Sequence, residues 1–404
     1  MINATLAELL DYVRSRSPYY RERLPANANA ELSELPFTTK DDLATHSTGF
    51  LAVPEHEIRD YASTSGTLGE PVYFGLTAND LLRLAENECQ SFRISGASAG
   101  DVIQLMVTMD KLFMAGLAYF LGIQQLGATA IRTGPGNPMH QLEVMLKFKT
   151  TVIVAIPSFI IRLIQVARDR NINLADTAVK SIICIGEPIR NTDFSLNELG
   201  KSIVSEWPVN LHSTYASTEM ATAFTECEYG CGGHLNPELL LLEVIGEDNL
   251  PVQSGETGEV VVTPLGIEGQ PLIRYRTGDL CAVHYNKCLC GRDTPRLGPV
   301  IGRKQQMIKF KGTTLFPSAL FDVLATEHIP LYQVQVHRDP LGNDDLKIAL
   351  PAGLEGNTTI DYLRSAFRSR LRVTPDFVFM AEEQLQLLVN QPDKRKPERV
   401  VFFQ

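Results

Sequence analysis

A run of small hydroxyl and glycine residues at positions 63–71 is the first stretch whose residue types could do chemistry. It reads Ser-Thr-Ser-Gly-Thr-Leu-Gly-Glu-Pro and lies between two β-like runs, Glu57–Tyr61 and Val72–Leu76. In such a loop several backbone N–H groups can converge on an anion, and the hydroxyls add donors without bulk. No Gly-Lys-Ser/Thr closes the run, so it is not a Walker loop. Taken alone, it fits a surface turn as well as a phosphate-binding loop.

Four more polar clusters follow at intervals along the chain. They are Ile185-Gly186-Glu187-Pro188, the segment His212–Glu219, the segment Arg274–Leu280, and Ile301-Gly302-Arg303. A Thr-Gly-Asp is commonly a turn, and a lone glutamate at a strand end is usually solvated. Each cluster is therefore ambiguous by itself. The informative observation is that all of them occur in one chain, behind the glycine-rich run.

Cysteine and histidine residues indicate a second kind of site. The candidate ligands are Cys227, Cys231, His234, Cys288 and Cys290. Soft thiolates and an imidazole in tetrahedral number suit structural Zn²⁺. The spacing matches no standard zinc finger, five candidates compete for four places, and scattered free thiols are the alternative. Cys281 is expected to be only a strand residue.

Composition indicates an ordinary globular protein with a large and a small domain. The chain has 404 residues, of which 44% are apolar, and seven cysteines, too few for a disulfide framework. Its net charge of −10 argues against nucleic-acid binding. No apolar run reaches the roughly 18 residues that span a membrane, and Met1–Arg21 lacks the layout of a signal peptide. A cytoplasmic protein that does not bind membranes is expected.

The spacing of apolar residues predicts the elements that position these clusters. An amphipathic helix is predicted over Ile2–Arg16, and Thr39 is placed to cap a short helix. Apolar strands then alternate with helical segments, which is typical of an α/β domain with a largely parallel sheet. The predicted strands are Val102–Thr108, Ala128–Arg132, Thr151–Ala155 and Ser181–Ile185, with a helix at Phe113–Gln125.

The second half of the chain is predicted to change in character. Antiparallel strands are expected at Leu239–Val244, Gly258–Thr263 and Leu280–Tyr285. From Ile308 onward a compact α+β unit is expected, with helices at Pro317–Thr326 and Ile360–Leu371 and strands at Gln333–His337 and Leu346–Leu350. The predicted fold class is α/β. A large domain, residues 1–303, would include a β-rich part at about 225–300, and a small α+β domain, residues 304–404, would follow.

In the order and spacing of its motifs, the chain resembles the adenylate-forming superfamily of acyl-CoA synthetases, adenylation domains and luciferases, and specifically its phenylacetate-CoA ligase branch. The resemblance runs from Pro18-Tyr19-Tyr20-Arg21 through the 63–71 loop to the C-terminus. It implies a two-step reaction. A small carboxylic acid, expected to be aryl or arylacetic, attacks the α-phosphate of ATP to give acyl-AMP. The thiol of coenzyme A, or of a carrier-protein phosphopantetheine, then displaces AMP.

The resemblance also implies a role for each cluster. Residues that would hold the β- and γ-phosphates are Ser63, Thr64, Ser65, Gly66, Thr67 and Gly69. Those that would surround the adenine are Gly186, Glu187, Pro188, Tyr215, Ala216 and Ser217, with Tyr215 stacking on the ring. Thr218 would touch the α-phosphate, Glu219 would bind Mg²⁺, and Asp279 and Arg303 would bind the ribose.

The C-terminal domain is implied to be a mobile lid. The family rotates it between the two half-reactions, about a hinge just after Arg303. Lys396, in Lys-Pro-Glu-Arg-Val-Val, matches the lysine that bridges carboxylate and α-phosphate during adenylation. Lys394 is its rival for that role, and a fraying basic tail is the structural alternative.

Three departures from the family pattern bear on function. Glu70 stands where a phosphate-binding lysine is usual, Gln305 replaces the hinge aspartate, and Asp110-Lys111 replaces Tyr-Gly in the stretch expected to line the acyl pocket. Two of these, Glu70 and Gln305, favour a third interpretation besides the CoA ligase and the carrier-loading enzyme, namely a noncatalytic nucleotide-binding member. Relatives often share the cysteine and histidine positions, which favours zinc. A homodimer is a further expectation.

Overall fold

The computed structural model describes residues 4–25, 30–64, 71–338, 344–356, 358–391 and 397–403. It divides the chain into two units, Met1–Val300 and Ile301–Gln404. Both units mix helices with sheets, which confirms the predicted α/β class.

The described helices of the first unit are α1 Leu6–Arg16, α2 Pro18–Arg23, α3 Lys40–Thr45, α4 Ala78–Ile94, α5 Met114–Leu126, α6 Pro138–Phe148, α7 Pro157–Asp169 and α8 Glu198–Glu206. Six of them begin at a Ser, Thr or Asn cap, whereas α5 and α7 follow the apolar residues Phe113 and Ile156. Thr39 caps α3 as predicted. The first helix starts at Leu6 rather than at Ile2, because Thr5 forms a capping box with Glu8. None of the described helices is long and apolar enough to cross a membrane.

The strands of the first unit form one hairpin and one large sheet. They are β1 Asp60–Ser63, β2 Tyr73–Leu76, β3 Val102–Leu105, β4 Thr129–Arg132, β5 Val152–Ala155, β6 Ser181–Ile185, β7 Asn210–Ser217, β8 Thr222–Glu226, β9 Gly233–His234, β10 Leu240–Ile245, β11 Thr257–Pro264, β12 Tyr275–His284 and β13 Arg296–Leu297. β1 and β2 pair antiparallel. The large sheet has the order β10-β11-β12-β13-β9-β8-β7-β6-β5-β3-β4. It is parallel from β4 to β7 and antiparallel beyond β7.

Strand β12 differs most from its prediction, because it begins at Tyr275 instead of Leu280. The pairing of β11 with β12 continues past an irregularity, with Glu259 opposite Leu280 and Val261 opposite Arg276. Residues 277–279 therefore bulge between two paired stretches. The Thr-Gly-Asp of the sequence lies in a bulge inside a strand rather than in a turn between strands.

The second unit is an α+β fold of its own. Its elements are β14 Gly302–Arg303, β15 Ile308–Phe310, β16 Thr313–Leu315, α9 Pro317–Thr326, β17 Gln333–Arg338, β18 Asp344–Pro351, α10 Thr358–Leu371, β19 Asp376–Met380, α11 Glu382–Val389 and β20 Val400–Phe403. Its main sheet has the order β19-β18-β17-β20. Buried apolar side chains of α9, α10, β17 and β18 form its core.

Helices α4 and α5 pack so closely that a buried carboxyl is enclosed between them. A Cβ at Gly122 would lie 2.4 Å from the Cβ of Glu88, so only glycine fits there. The Glu88 side chain accepts a hydrogen bond from the Asn87 amide at 3.0 Å through Oε1. Its Oε2 has no partner among the described residues. Burial raises the pKa of Glu88 to about 8.

Replacing Glu88 with glutamine is expected to remove a loss of stability between pH 4.5 and about 8. Between pH 4.5 and about 8 the folded chain keeps a proton that the unfolded chain has released, so the free energy of unfolding falls as pH rises. The expected slope is about 1.4 kcal/mol per pH unit. Urea unfolding across this window should show the fall in the unaltered protein and in the control Glu86→Gln, but not in Glu88→Gln. Equal pH dependence in all three would contradict the assignment.

Candidate nucleotide site and cysteine cluster

The carboxyl ends of two neighbouring parallel strands carry the residues expected around adenine. β6 pairs with β7 in parallel, so the segment Gly186–Pro188 emerges beside Tyr215. Gly186 has a φ of 76°, in the left-handed region that glycine tolerates. Glu187 accepts hydrogen bonds from the N–H and hydroxyl of Ser158 at 2.8 and 3.0 Å. This carboxylate fixes the loop to the start of α7, at the sheet edge where open α/β folds bind ligands.

Tyr215 and Asp279 meet although they are 64 residues apart in the chain. The Tyr215 hydroxyl donates to Asp279 Oδ2 at 2.8 Å. The ring of Tyr215 lies 6.0 Å from that of Phe224, with planes 25° apart. Asp279 is 5% exposed and sits in the β12 bulge, where its N–H donates to the Thr277 hydroxyl at 3.1 Å. An aromatic ring and a carboxylate thus lie side by side, as an adenosine site requires.

The turn between β7 and β8 presents the two residues expected at the phosphates. Thr218 and Glu219 are both half-buried. The turn is closed by a hydrogen bond from the Met220 N–H to the Ser217 hydroxyl at 3.3 Å. The Tyr275 hydroxyl donates to Glu219 Oε1 at 3.3 Å, which orients a carboxylate of the kind that Mg²⁺ prefers.

Hydrogen bonds from three backbone N–H groups hold the described ends of the glycine-rich loop. The Thr64 N–H donates to the Val72 carbonyl at 2.9 Å, and the Val72 N–H donates to the Thr64 hydroxyl at 3.0 Å. The Ser63 N–H donates to the Leu112 carbonyl at 2.9 Å. The stretch with the Asp110-Lys111 departure therefore abuts the base of the loop, with Lys111 at φ 56°. Positions outside the described residues are Ser65, Gly66, Thr67, Gly69 and Glu70.

The remaining predicted nucleotide contacts belong to the second unit. Arg303 lies in β14, which belongs to the second unit because the first unit ends at Val300. The residue is half-buried. Lys394 and Lys396 lie outside the described residues. The chain that follows Lys396 is well anchored, because β20 pairs in parallel with β17 and the Glu398 N–H donates to the Val389 carbonyl at 2.7 Å.

Four of the five zinc candidates form one cluster. They are Cys227, His234, Cys288 and Cys290, and their ligand atoms all lie within 4.8 Å of one another. The two sulfurs of Cys227 and Cys288 are 3.7 Å apart, and Cys290 Sγ is 3.5 Å from His234 Nε2. A tetrahedral zinc with Zn–S bonds of about 2.3 Å places neighbouring sulfurs about 3.8 Å apart. The donor set and its dimensions therefore fit zinc.

Cys231 and Cys281 stay out of this cluster. Cys231 donates its S–H to the Tyr229 carbonyl at 3.2 Å. Of the five candidate ligands, it is therefore the one that does not belong to the four-residue cluster. Cys281 is fully buried in β12, which confirms its expected role as a strand residue.

The electrostatics of the cluster favour a cation. Burial raises the pKa of Cys227 to about 12, so its thiolate needs a compensating charge. Burial raises the pKa of Cys290 too, but the backbone N–H and guanidinium of Arg292 outweigh it and lower the pKa below its usual value. Burial, helped by Arg292 and Arg296, lowers the pKa of His234 to about 4. His234 is therefore a neutral imidazole at pH 7, the form that binds metals.

Sequence reasoning missed an ion pair that joins the two sites. Arg190 Nε lies 2.9 Å from both carboxylate oxygens of Glu226, and Glu226 Oε2 accepts from the Ser213 N–H at 2.9 Å. Arg190 closely follows Gly186–Pro188, and Glu226 immediately precedes Cys227. Their positions next to motif residues could have indicated that both side chains matter. No local sequence pattern, however, pairs an arginine with a glutamate 36 residues away.

The chain is similar in sequence to known proteins over most of its length. A family model for AMP-binding enzymes matches residues 52–267. Phenylacetate-coenzyme A ligase of Thermus thermophilus is 31% identical over 359 residues, covering 85% of this chain and 79% of the relative. Phenylacetate-coenzyme A ligase of Escherichia coli K12 is 29% identical over 351 residues, covering 81% and 77%.

Solved structures share the fold at lower identity. The crystal structure of 2-hydroxyisobutyryl-CoA ligase in the postadenylation state, in complex with R3-HIB-AMP, matches with a TM-score of 0.83 at 22% identity. The match covers 99% of this chain and 88% of that one. A benzoate CoA ligase from Burkholderia xenovorans LB400 matches with a TM-score of 0.61 at 18% identity, over 86% and 69%.

Proposed function

This chain belongs to the AMP-binding enzyme family, in its phenylacetate-CoA ligase-like branch, and we propose that it is an acid–CoA ligase. It would activate a small carboxylic acid with ATP and transfer the acyl group to coenzyme A. The observation that carries the proposal is the contact between Tyr215 and Asp279 beside the turn that bears Glu219. Tyr215, Asp279 and Glu219 suit an adenine, a ribose and a phosphate chain, in that order. The name of the T. thermophilus relative supplies the acid, phenylacetate, and the thiol, coenzyme A.

In the proposed first step, a carboxylate oxygen bonds to the α-phosphorus of ATP and the bond to pyrophosphate breaks. In the second, the thiol sulfur bonds to the acyl carbon, AMP leaves and the thiol proton is released. The protein contributes chiefly position and charge. Asp279 would accept the ribose hydroxyls, Thr218 would donate to the α-phosphate, and Glu219 would hold Mg²⁺, which when bound neutralises phosphate charge. The domain of residues 304–404 would change orientation between the steps.

The identity of the acid is part of the proposal. We assign it to the aryl or arylacetic class, by the names of the relatives. Asp110-Lys111 gives the base of the phosphate loop a charged neighbour, so an acid that carries an additional polar group suits this stretch better than phenylacetate does. The chain has Glu219, Asp279, Arg303 and Lys396 at the positions where the family has its Mg²⁺ ligand, its ribose ligands and its mobile lysine. The presence of all four argues against a noncatalytic protein. A carrier-protein acceptor, a homodimer and a cytoplasmic location remain further proposals.

We also propose that Cys227, His234, Cys288 and Cys290 hold one structural Zn²⁺. The separations between their donor atoms support this metal, and thiolate with imidazole is its usual ligand set. Thr294 Oγ1 lies 3.3 Å from His234 Nδ1, so it can hold the ring with Nε2 turned to the metal. Zinc here would be structural, since four protein ligands leave no position for substrate.

Pyrophosphate exchange with a panel of carboxylic acids tests the function. Exchange with one or more aryl or arylacetic acids is expected, followed by thioester formation with free coenzyme A. Thioester formation only with a phosphopantetheinyl carrier protein would select the carrier-loading alternative. No exchange with any acid, together with no binding of ATP or AMP by calorimetry in the presence of Mg²⁺, would overturn the proposal.

A further inference from the structure

Helix α4 contains a buried arginine whose hydrogen-bond acceptors are all neutral. Arg83 is 0% exposed. It donates to three backbone carbonyls and one hydroxyl, at Ala221 (2.6 Å), Leu239 (2.5 Å), Leu265 (2.5 Å) and Thr222 Oγ1 (3.1 Å). Burial lowers its pKa to about 10, against a smaller opposing effect of Asp80, so it is charged at pH 7. Burying a charge against neutral groups is costly, and a shorter apolar side chain would avoid that cost.

One turn later on the same helix, Asn87 completes the contact. Its Oδ1 accepts a hydrogen bond from the Ala223 N–H at 3.2 Å. Arg83 and Asn87 thus hold three consecutive residues, 221–223. The first of these, Ala221, has a φ of 43°, in the left-handed region that costs a residue with a Cβ about 1 kcal/mol or more. The surroundings must impose such a conformation, and Arg83 bonds directly to the carbonyl of that residue.

The restrained residues end the turn that carries Thr218 and Glu219. Ser217 faces Thr222 in the β7–β8 ladder, so the turn is joined to the sheet at these two residues. The Ala221 N–H closes it by donating to the Ser217 carbonyl at 3.2 Å. Because the turn is short, a shift of Ala221 or Thr222 is expected to displace Thr218 and Glu219.

The other end of α4 is fixed to the hairpin that leads into the phosphate loop. Thr77, the N-cap of α4, follows directly after β2. Asp80 accepts from the N–H groups of Thr77, Glu268 and Gly269 at 2.9, 2.7 and 2.9 Å. The neighbouring Gly75 in β2 donates its N–H to Gln270 Oε1 at 2.6 Å. α4 is thus a rigid link from hairpin β1–β2 to the β7–β8 turn.

We propose that α4, through Arg83 and Asn87, fixes the position of the turn bearing Thr218 and Glu219 relative to hairpin β1–β2. Both are positioning residues, and the inference rests on the nucleotide site proposed above. Its consequence is selective. A displaced turn removes the Glu219 contact with the metal of Mg·ATP, which AMP lacks, whereas the contacts of adenine and ribose with Tyr215 and Asp279 are common to both nucleotides.

Calorimetry with Arg83→Lys tests this, because lysine keeps the charge but not the planar fork of donors. Binding of Mg·ATP should weaken about tenfold or more, and binding of AMP, which shares only the α-phosphate contact of Thr218, should weaken at least about threefold less than that. In pyrophosphate exchange, the KM for ATP should rise with little change in the KM for the acid. Arg93→Lys, an exposed arginine on the same helix, should change neither nucleotide.

The outcomes distinguish a role of Arg83 in positioning the β7–β8 turn from a role only in the stability of the fold. Equal weakening of both nucleotides, or unchanged binding by folded Arg83→Lys, would overturn the inference. If Arg83→Lys does not fold, Asn87→Ala decides by the same ratio of Mg·ATP to AMP binding. Because the binding test uses no acid, the inference stands even if the unaltered protein exchanges pyrophosphate with no acid tested. Absence of all nucleotide binding in the unaltered protein would overturn it.

Discussion

Replacing Lys396 with alanine is expected to lower acyl-adenylate formation by about two or more orders of magnitude. Thioester formation from preformed acyl-adenylate should be nearly unchanged. The physical reason is that carboxylate and α-phosphate both bear negative charge when they meet, and an ammonium placed between them offsets the repulsion only in the first step. In the second step a neutral carbonyl is attacked, and no such charge is needed there.

Lys396 lies outside the described residues, and the expectation rests on its place in the sequence, directly before an anchored segment. The residues directly after it are held by backbone contacts, from the Glu398 N–H to Val389 and from the Val334 N–H to the Arg399 carbonyl at 2.8 Å. In the proposed mechanism, rotation of the C-terminal domain would bring Lys396 to the reacting groups and withdraw it again.

Lys394→Ala is the matched control for this experiment. Both half-reactions are measured for each variant, adenylation by pyrophosphate exchange and thioester formation with supplied acyl-adenylate. Equal losses in both half-reactions for Lys396→Ala would show that the residue is structural. Loss of adenylation in Lys394→Ala alone would show that the catalytic lysine is two positions earlier in the chain.

Replacing Cys288 with serine is expected to release the metal and to lower the free energy of unfolding by several kcal/mol. Cys288 and Cys227 are 61 residues apart in the chain. A metal that joins them restricts the unfolded chain and compensates the charge of buried thiolates. Without the metal, the Cys227 thiol, with its pKa of about 12, stays protonated. The side chains of the cluster then no longer link the two loops through a metal.

Cys231→Ser is the matched control, since its sulfur lies against the Tyr229 carbonyl and outside the cluster. Elemental analysis of untagged protein should give one zinc per chain for the unaltered protein and for Cys231→Ser, and none for Cys288→Ser. Thermal unfolding with and without a chelator gives the change in stability. Zinc that is lost from Cys231→Ser and kept in Cys288→Ser would refute the ligand set, and zinc absent from the unaltered protein would refute the site.

Local sequence patterns determined the elements and the fold class. Ser181–Ile185 and Pro317–Thr326 were predicted with the bounds that the structure has. Such segments depend on neighbours a few residues away, through apolar periodicity and end signals such as the proline of α9. The order of short motifs also placed the chain in its family, because each motif is contiguous in sequence.

Only the tertiary structure showed which distant residues come together to form each site. The choice of Cys288 and Cys290 over Cys231, the bulge that places Asp279 against Tyr215, and the contact of Arg83 with Ala221 all join residues far apart in the chain. Such contacts depend on strand register and on helix packing, which are set by burial across the whole unit. A window of sequence shows that a cysteine or an arginine is present, but the partner is chosen by the strand that lies beside it after folding.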